Sequence, residues 1–125
     1  MITAAFSFSH PVRIYWEDTD AGGVVFYANY LKFFERARTE WLRALGFGQQ
    51  HMRAEQRLLF VVTDTHVRFL KPARLDDELT VTVQLASAAR ATLSLAQTAL
   101  RGPALLADSR ITLACVEADS FRPKR

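Results

Sequence analysis

The sequence predicts an α+β domain in which a five-stranded, mainly antiparallel sheet is set against one long helix. Three observations predict it. Apolar residues recur every three or four positions in one segment, strict alternation marks several others, and the strand-like segments follow the helix one after another. At 125 residues, half of them hydrophobic, the chain can form one domain around one core, so residues 1–125 are read as a single unit.

The first strand is expected over Val12 to Trp16, with Val12, Ile14 and Trp16 on one covered face. Gly22 and Gly23 break the pattern. From Ala28 to Leu45 the apolar positions Tyr30, Phe34, Ala37, Trp41 and Leu45 recur at helical spacing, which predicts an amphipathic helix. Asn29 is its expected cap, Gly46 and Gly48 are its expected stops, and Glu40 has Arg36 and Arg43 as partners on the wet face. "LLFVVTDTHVRFL", Leu58 to Leu70, is β-branched and aromatic and ends before Pro72, which predicts a long strand. "LTVTVQLAS" alternates without a flaw, and "ARATLSLAQTAL" follows a turn near Ala88 to Arg90, so these two form a hairpin. Gly102-Pro103 turns the chain into "ALLADSRITLACVEA", the fifth strand, ahead of a basic tail. One helix covers one face of such a sheet, yet Phe60 and Val61, Val67 and Leu70, and Leu95 and Leu100 put apolar side chains on both. A second copy of the chain is the simplest cover.

Composition narrows the function. A formal charge of +3, from 16 Lys and Arg against 13 acids, is too small and too dispersed for a nucleic-acid binder, but it suits a modest anionic partner such as a nucleotide-bearing small molecule. No window approaches the roughly 18 consecutive apolar residues of a membrane span, and Met1 to His10 lacks the pattern of a secretory signal, so the cytoplasm is the expected compartment. Cys115 stands alone, which excludes an intrachain disulfide. His10, His51 and His66 have no metal-ligand spacing. A Cys115–His66 nucleophile pair has no glycine turn or helix start to activate its thiolate.

The chemistry is concentrated in "YWEDTDAGGVVFYANYLKFFERAR", where acids, paired glycines and aromatics precede the helix. A carboxylate there could attack a carbonyl or activate water, and the first N–H groups of a helix could polarise the carbonyl oxygen. Gly22 and Gly23 would let the backbone approach a ligand closely. Read from residue types alone, Asp18 and Asp20 could equally be turn and capping residues.

The longer segment "VRIYWEDTDAGGVVFYANYLKFFERARTEWLRALGF" strongly resembles the signature of hot-dog-fold acyl-CoA thioesterases, both the Tol-Pal-associated group and the 4-hydroxybenzoyl-CoA thioesterases. "EDTDAGGVV" and "FFERARTEWLR" carry the likeness. It implies a hot-dog fold, a sheet wrapped around the long helix. It also implies acyl-CoA as substrate, no cofactor, and a dimer pairing into a tetramer with active sites at the subunit interface. By motif position the family's catalytic carboxylate falls on Asp20, as general base or nucleophile, and its carbonyl-polarising N–H falls on Tyr27. Phe26-Tyr27-Ala28 stands where the Tol-Pal group has Tyr-His-Ala, and Trp16 where it has Tyr. Trp16, Gly23, Phe26 and Tyr30 are the corresponding substrate-binding candidates; for each aromatic, core packing is the alternative. Such a pocket would be short and wide, favouring aromatic or short-to-medium acyl groups. Arg68, Lys71, Arg74 and Arg90 are expected at strand ends for coenzyme A phosphates, with Arg68 and Arg90 foremost; singly, such residues are more often solvated surface. Glu35 matches a helical acid of the hydroxybenzoyl enzymes but reads as a surface partner for Arg36 or Arg38. Two other functions remain open: hydrolysis of acyl carrier protein thioesters, and a non-catalytic acyl-CoA-binding or envelope-associated scaffold.

Overall fold

The computed structural model of the protein describes residues 7–124. Its elements are β1 (Ser7–Arg13), α1 (Asn29–Ala44), a short helix α2 (Gln49–His51) continuing into a π-helical turn (Met52–Gln56), β2 (Leu58–Phe69), β3 (Glu78–Ala88), β4 (Thr92–Arg101) and β5 (Ala104–Glu117). One sheet has the strand order β1-β3-β4-β5-β2, and every neighbouring pair is antiparallel. This is the expected α+β hot-dog architecture. The Arg125 end of the basic tail lies outside the described residues.

The first strand lies earlier than its alternation suggests. Pairing with β3 runs from Ser7↔Gln84 to Arg13↔Glu78, after which Trp16–Asp18 forms a 3₁₀ turn. Val12 and Ile14 are buried as expected, whereas Trp16 is 78% exposed. The turn rotates its side chain off the covered face.

Helix α1 has no glycine or proline and places Tyr30, Phe33, Phe34, Ala37, Trp41 and Leu42 on its buried side. Its end is a Schellman motif: Gly46, at φ +94°, donates its N–H to the Arg43 carbonyl, and Phe47 donates to that of Leu42. Its start differs from expectation. Asn29 is the first helical residue, not the cap, and the cap position, Ala28, contributes no side-chain bond.

The helix lies over β3 and β1. Phe33, Phe34 and Ala37 meet the inward row Leu79, Val81, Val83, Leu95, Ala99 and Ile111, all buried. Inside this contact, Arg38 donates Nη1–H to Gln97 Oε1 at 3.0 Å, and Gln97 returns Nε2–H to the Phe34 carbonyl at 3.1 Å. Burial pushes the Arg38 guanidinium down from its ordinary value and the Glu35 charge partly offsets that. Glu35 itself accepts from Thr39 Oγ1 at 2.6 Å. At the other side of the sheet, β2 has no fully buried residue. Val62, Phe69 and Leu70 stand exposed along or just beyond it. Within the sheet, the exposed large apolar side chains thus lie along one edge strand.

Candidate active site

Between β1 and α1 the chain makes a compact turn that two neighbours hold in place. Within it, Asp20 donates its N–H to the Val24 carbonyl at 2.9 Å and Gly23 donates to the Asp20 carbonyl at 3.0 Å. Gly23 adopts φ +80°, a conformation that strains any residue with a Cβ. On one side, Val25 donates to the Ala73 carbonyl at 2.8 Å, and Val24 bridges Arg74. That loop is fixed in turn by Asp77, which accepts from the Arg74 N–H and from Arg101 Nη1, both at 2.9 Å. Burial raises the Asp77 carboxyl, but the Arg74 N–H and the Arg101 guanidinium outweigh it and hold it below the ordinary carboxylate range.

The two acids of "DTD" have opposite surroundings. Asp18 is 7% exposed; Oδ2 accepts the Tyr15 N–H and Oδ1 accepts Asn29 Nδ2–H, each at 2.9 Å, while its carbonyl accepts the Phe26 N–H. It ties β1, the turn and the helix start together. Asp20 is exposed, and its carboxylate accepts a single bond, from the Gly22 N–H to Oδ1 at 2.8 Å. The second oxygen has no donor among the described residues. A Cβ on Gly22 would sit 3.2 Å from Oδ1, so a glycine there leaves room for the carboxylate.

The helix start supplies donors. Asn29, Tyr30 and Leu31 donate to the carbonyls of Phe26, Tyr27 and Ala28, three residues back in each case. The unmatched donors of the helix start are thereby displaced to Tyr27 and Ala28, whose N–H groups meet no acceptor among the described residues.

The aromatics divide. Phe26 and Tyr27 lie with ring centroids 5.0 Å apart, and Tyr27 and Tyr30 both meet Phe69 edge-on, at 5.9 and 5.5 Å. Tyr27, Tyr30, Phe69 and Lys71 line a cleft of about 240 Å3 together with Val25, Leu70 and Pro72. Burial pushes the Tyr30 phenol up, so it stays protonated at neutral pH. Trp16 is not a wall of this cleft, and neither is Asp20. Of the four strand-end cations, Lys71 reaches the cleft and Arg74 the turn. Arg68 points away from Phe69 by strand alternation and is occupied by Asp108 through two bonds, at 3.2 and 2.6 Å. Arg90 lines a separate cavity beside the C-terminal end of α1.

Phe69 and Asn29 are the contributors that sequence reasoning missed. The first closes a predicted strand and carried no separate signal. The second lies 11 residues from its carboxylate partner. The Cys115–His66 pair is ruled out by register: His66 faces Arg110 and Cys115 faces Phe60, so the two are roughly 17 Å apart along the strands. Burial also pushes the Cys115 thiol up, away from thiolate.

A family model described as the thioesterase-like superfamily matches residues 14–125. Over 116 residues the chain is 46% identical to the "Acyl-CoA thioesterase YbgC" of Haemophilus influenzae, covering 93% of this chain and 85% of that one. It is 42% identical over 118 residues to the "Acyl-CoA thioester hydrolase YbgC" of Escherichia coli, covering 94% and 87%. The structure titled "Probable Thioesterase from Bartonella henselae" superposes with a TM-score of 0.91 at 32% identity, over 95% of this chain and 98% of that one. No helix among the described residues is long and apolar enough to cross a membrane.

Proposed function

The chain belongs to the thioesterase-like superfamily, and from that premise we propose that it hydrolyses acyl-CoA thioesters to a free acid and coenzyme A, with Asp20 as the working carboxylate. One observation carries the assignment of Asp20: it is an exposed carboxylate with one oxygen unengaged, on a braced turn that leads into two open backbone donors at Tyr27 and Ala28. The relatives' names supply coenzyme A as carrier, in preference to acyl carrier protein. A scaffold that only bound acyl-CoA would need no such exposed acid.

In the general-base course, Asp20 takes a proton from water as the water oxygen bonds to the thioester carbon. Charge gathers on the carbonyl oxygen, where the Tyr27 N–H at the positive end of the α1 dipole stabilises it. The tetrahedral intermediate then expels the coenzyme A thiolate by breaking the C–S bond, and the thiolate takes up a proton. In the nucleophilic course an Asp20 oxygen itself bonds to the carbon, the C–S bond breaks to release the coenzyme A thiolate, which takes up a proton, and water then cleaves the resulting mixed anhydride to the free acid and the Asp20 carboxylate. Positioning by the Asp18 brace and the Asp77–Arg101 clasp serves either course. Gly23 allows close approach of the backbone, and Phe26, Tyr27, Tyr30 and Phe69 receive the acyl group. Trp16, on the exposed turn, is assigned to the outer part of the substrate. Lys71, in the cleft wall, and Arg74, bridged to Val24 of the turn, are assigned to the phosphates, with Arg68, paired to Asp108, in an outer role.

The cleft of one protomer, about 240 Å3, is smaller than the roughly 300–1,000 Å3 of a complete ligand pocket. A second copy against the exposed edge of β2 would enclose it, and we assign the working form as a dimer that pairs into a tetramer. Light scattering showing a stable monomer at micromolar concentration would contradict this.

The decisive experiment is thiol release from butyryl-, decanoyl-, palmitoyl- and benzoyl-CoA. Turnover is expected, with short-to-medium or aromatic acyl groups ahead of palmitoyl. No release from any of them by folded protein would sink the reading. Single turnover in 18-oxygen water then separates the two courses: label entering Asp20 reports the anhydride.

A further inference from the structure

The most apolar hollow among the described residues is not the cleft beside the catalytic turn. A cavity of about 380 Å3 lies at the opposite end of α1, walled by Trp41, Leu42, Met52, Leu58, Leu93 and Cys115. The end of the helix, the first residues of β2 and the β3–β4 loop line it. Met52 and Gln56, the two ends of the π-helical turn Met52–Gln56, line it as well, and that turn is followed by Arg57 in the left-handed conformation at φ 58°. Such wide helical turns cluster at functional sites. Its helical wall, Trp41 to Leu45, lies about 18–24 Å along α1 from the helix start at Asn29. It is therefore a separate compartment from the protomer's own catalytic turn.

Two properties define what would fill it. The first is size and polarity: an apolar cavity of about 150 Å3 admits benzene, and this one, with almost entirely apolar walls, is some two and a half times larger. A saturated chain of about ten carbons fits that space. The second is charge. Arg90, on the β3–β4 loop, is the charged side chain in the wall, it is exposed, and no acidic partner is paired with it among the described residues. An apolar hollow with one uncommitted guanidinium on its wall is complementary to a fatty carboxylate, its tail inside and its head at the arginine.

We propose that this cavity is a binding site for a free medium-chain fatty acid, distinct from the thioester site. It goes beyond the thioesterase reading and does not require it. If both hold, the ligand belongs to the chemical class of the hydrolysis product, and the enzyme carries a second site that senses it.

The walls contain two reporters. Cys115 is the chain's one cysteine, and Trp41 becomes its one tryptophan in a Trp16→Phe background. The test measures the rate at which N-ethylmaleimide alkylates Cys115, and Trp41 emission, during titration of the full-length protein with decanoate below its micelle concentration. Decanoate should slow alkylation saturably, by fivefold or more. Affinity should rise about fourfold per methylene from octanoate to decanoate, and 1-decanol should bind about tenfold more weakly than decanoate. Arg90→Gln should erase the difference between acid and alcohol. Leu93→Trp should abolish protection; Ala91→Trp, on the loop beside the cavity, is the second filling should the first fail to fold. Asp20→Asn should bind decanoate unchanged, which separates this site from the thioesterase reading.

Any one of several results would overturn the proposal. They are unprotected Cys115, protection that survives both filled variants, equal binding of decanol and decanoate, and protection by the S-decyl thioether of coenzyme A but not by decanoate. The last would make the cavity a tail compartment for substrate. A thiol that is shielded without ligand and freed on dilution would show instead that a second copy fills the space, and would overturn it as well.

Discussion

Asp18 and Asp20 stand two residues apart in one motif, and replacing each by asparagine should produce opposite defects. Asp18 is 7% exposed and both its oxygens accept, one from the Tyr15 N–H and one from Asn29 Nδ2–H. Asparagine can present one acceptor only, so its NH2 must face one of those donors and leave it unsatisfied in the interior. A buried unmet donor costs about 1–3 kcal/mol, which for a domain of this length lowers Tm by roughly 4–12 °C. Asp20→Asn is different. The residue is exposed, and an amide oxygen can still accept the Gly22 N–H, so stability should stay within about 0.5 kcal/mol. Its carboxylate chemistry is gone, and kcat should fall about 10²–10⁴-fold. Thiol-release kinetics and thermal melts on both variants, run below the Tm of the weaker one, read the two defects separately. A stable, active Asp20→Asn beside a stable, inactive Asp18→Asn would refute the assignment.

The flanking glycines should separate in the same way. Gly22→Ala places a Cβ 3.2 Å from Asp20 Oδ1 and should lower kcat about tenfold with little change in Tm, whereas Gly23→Ala meets no atom but forces φ +80° and should cost about 1–2 kcal/mol of stability. Equal melting points for the two would count against this. Acid sensitivity should trace partly to Asp77, whose carboxyl is held low by the Arg74 N–H and Arg101 against the opposing effect of burial. A depressed folded value means that the unfolded chain binds the extra proton. The stabilisation is therefore complete above the ordinary carboxylate pKa, about 3.9, and disappears as pH falls through the lower folded value. Asp77→Asn should lower Tm near pH 6 and shrink its decline toward pH 3; an unchanged decline would assign acid lability elsewhere.

The sheet and helix were legible because their signals are periodic. "LTVTVQLAS" sends Leu79, Val81 and Val83 inward with no competing pattern, and β3 occupies Glu78–Ala88 around it. The first strand was misplaced because "SFSHPVR" contains Pro11 and carries little apolar alternation; it pairs because it lies at the sheet's edge, where a missing N–H is tolerated. At the site, the acids and glycines were visible by type, but what distinguishes Asp18 from Asp20 is tertiary. Asn29 reads as a cap in the sequence, yet its side chain is claimed by Asp18, and that contact belongs to no local rule. The same holds for Arg90. Its place in the order of strands suggested the phosphates, whereas the hairpin carries it to the far end of the helix.

The identity of the oxyanion donor is still open to a direct test, because the helix start leaves two candidates, the N–H groups of Tyr27 and Ala28. No ordinary side-chain substitution removes a backbone donor; proline does. Ala28 has φ −67°, which a proline ring matches, so Ala28→Pro should fold and should change stability by less than about 1 kcal/mol. If the Tyr27 N–H alone binds the oxyanion, Ala28→Pro should keep kcat within a few fold. Tyr27→Pro should lose about 10²–10³, the usual cost of one such donor. Tyr27→Ala serves as the control, since it removes the ring from its contacts with Phe26 and Phe69 but keeps the N–H. Its defect should therefore appear mainly in KM for aromatic acyl groups. A folded Ala28→Pro that loses a hundredfold, beside a Tyr27→Pro no worse than Tyr27→Ala, would move the oxyanion contact one residue along the chain.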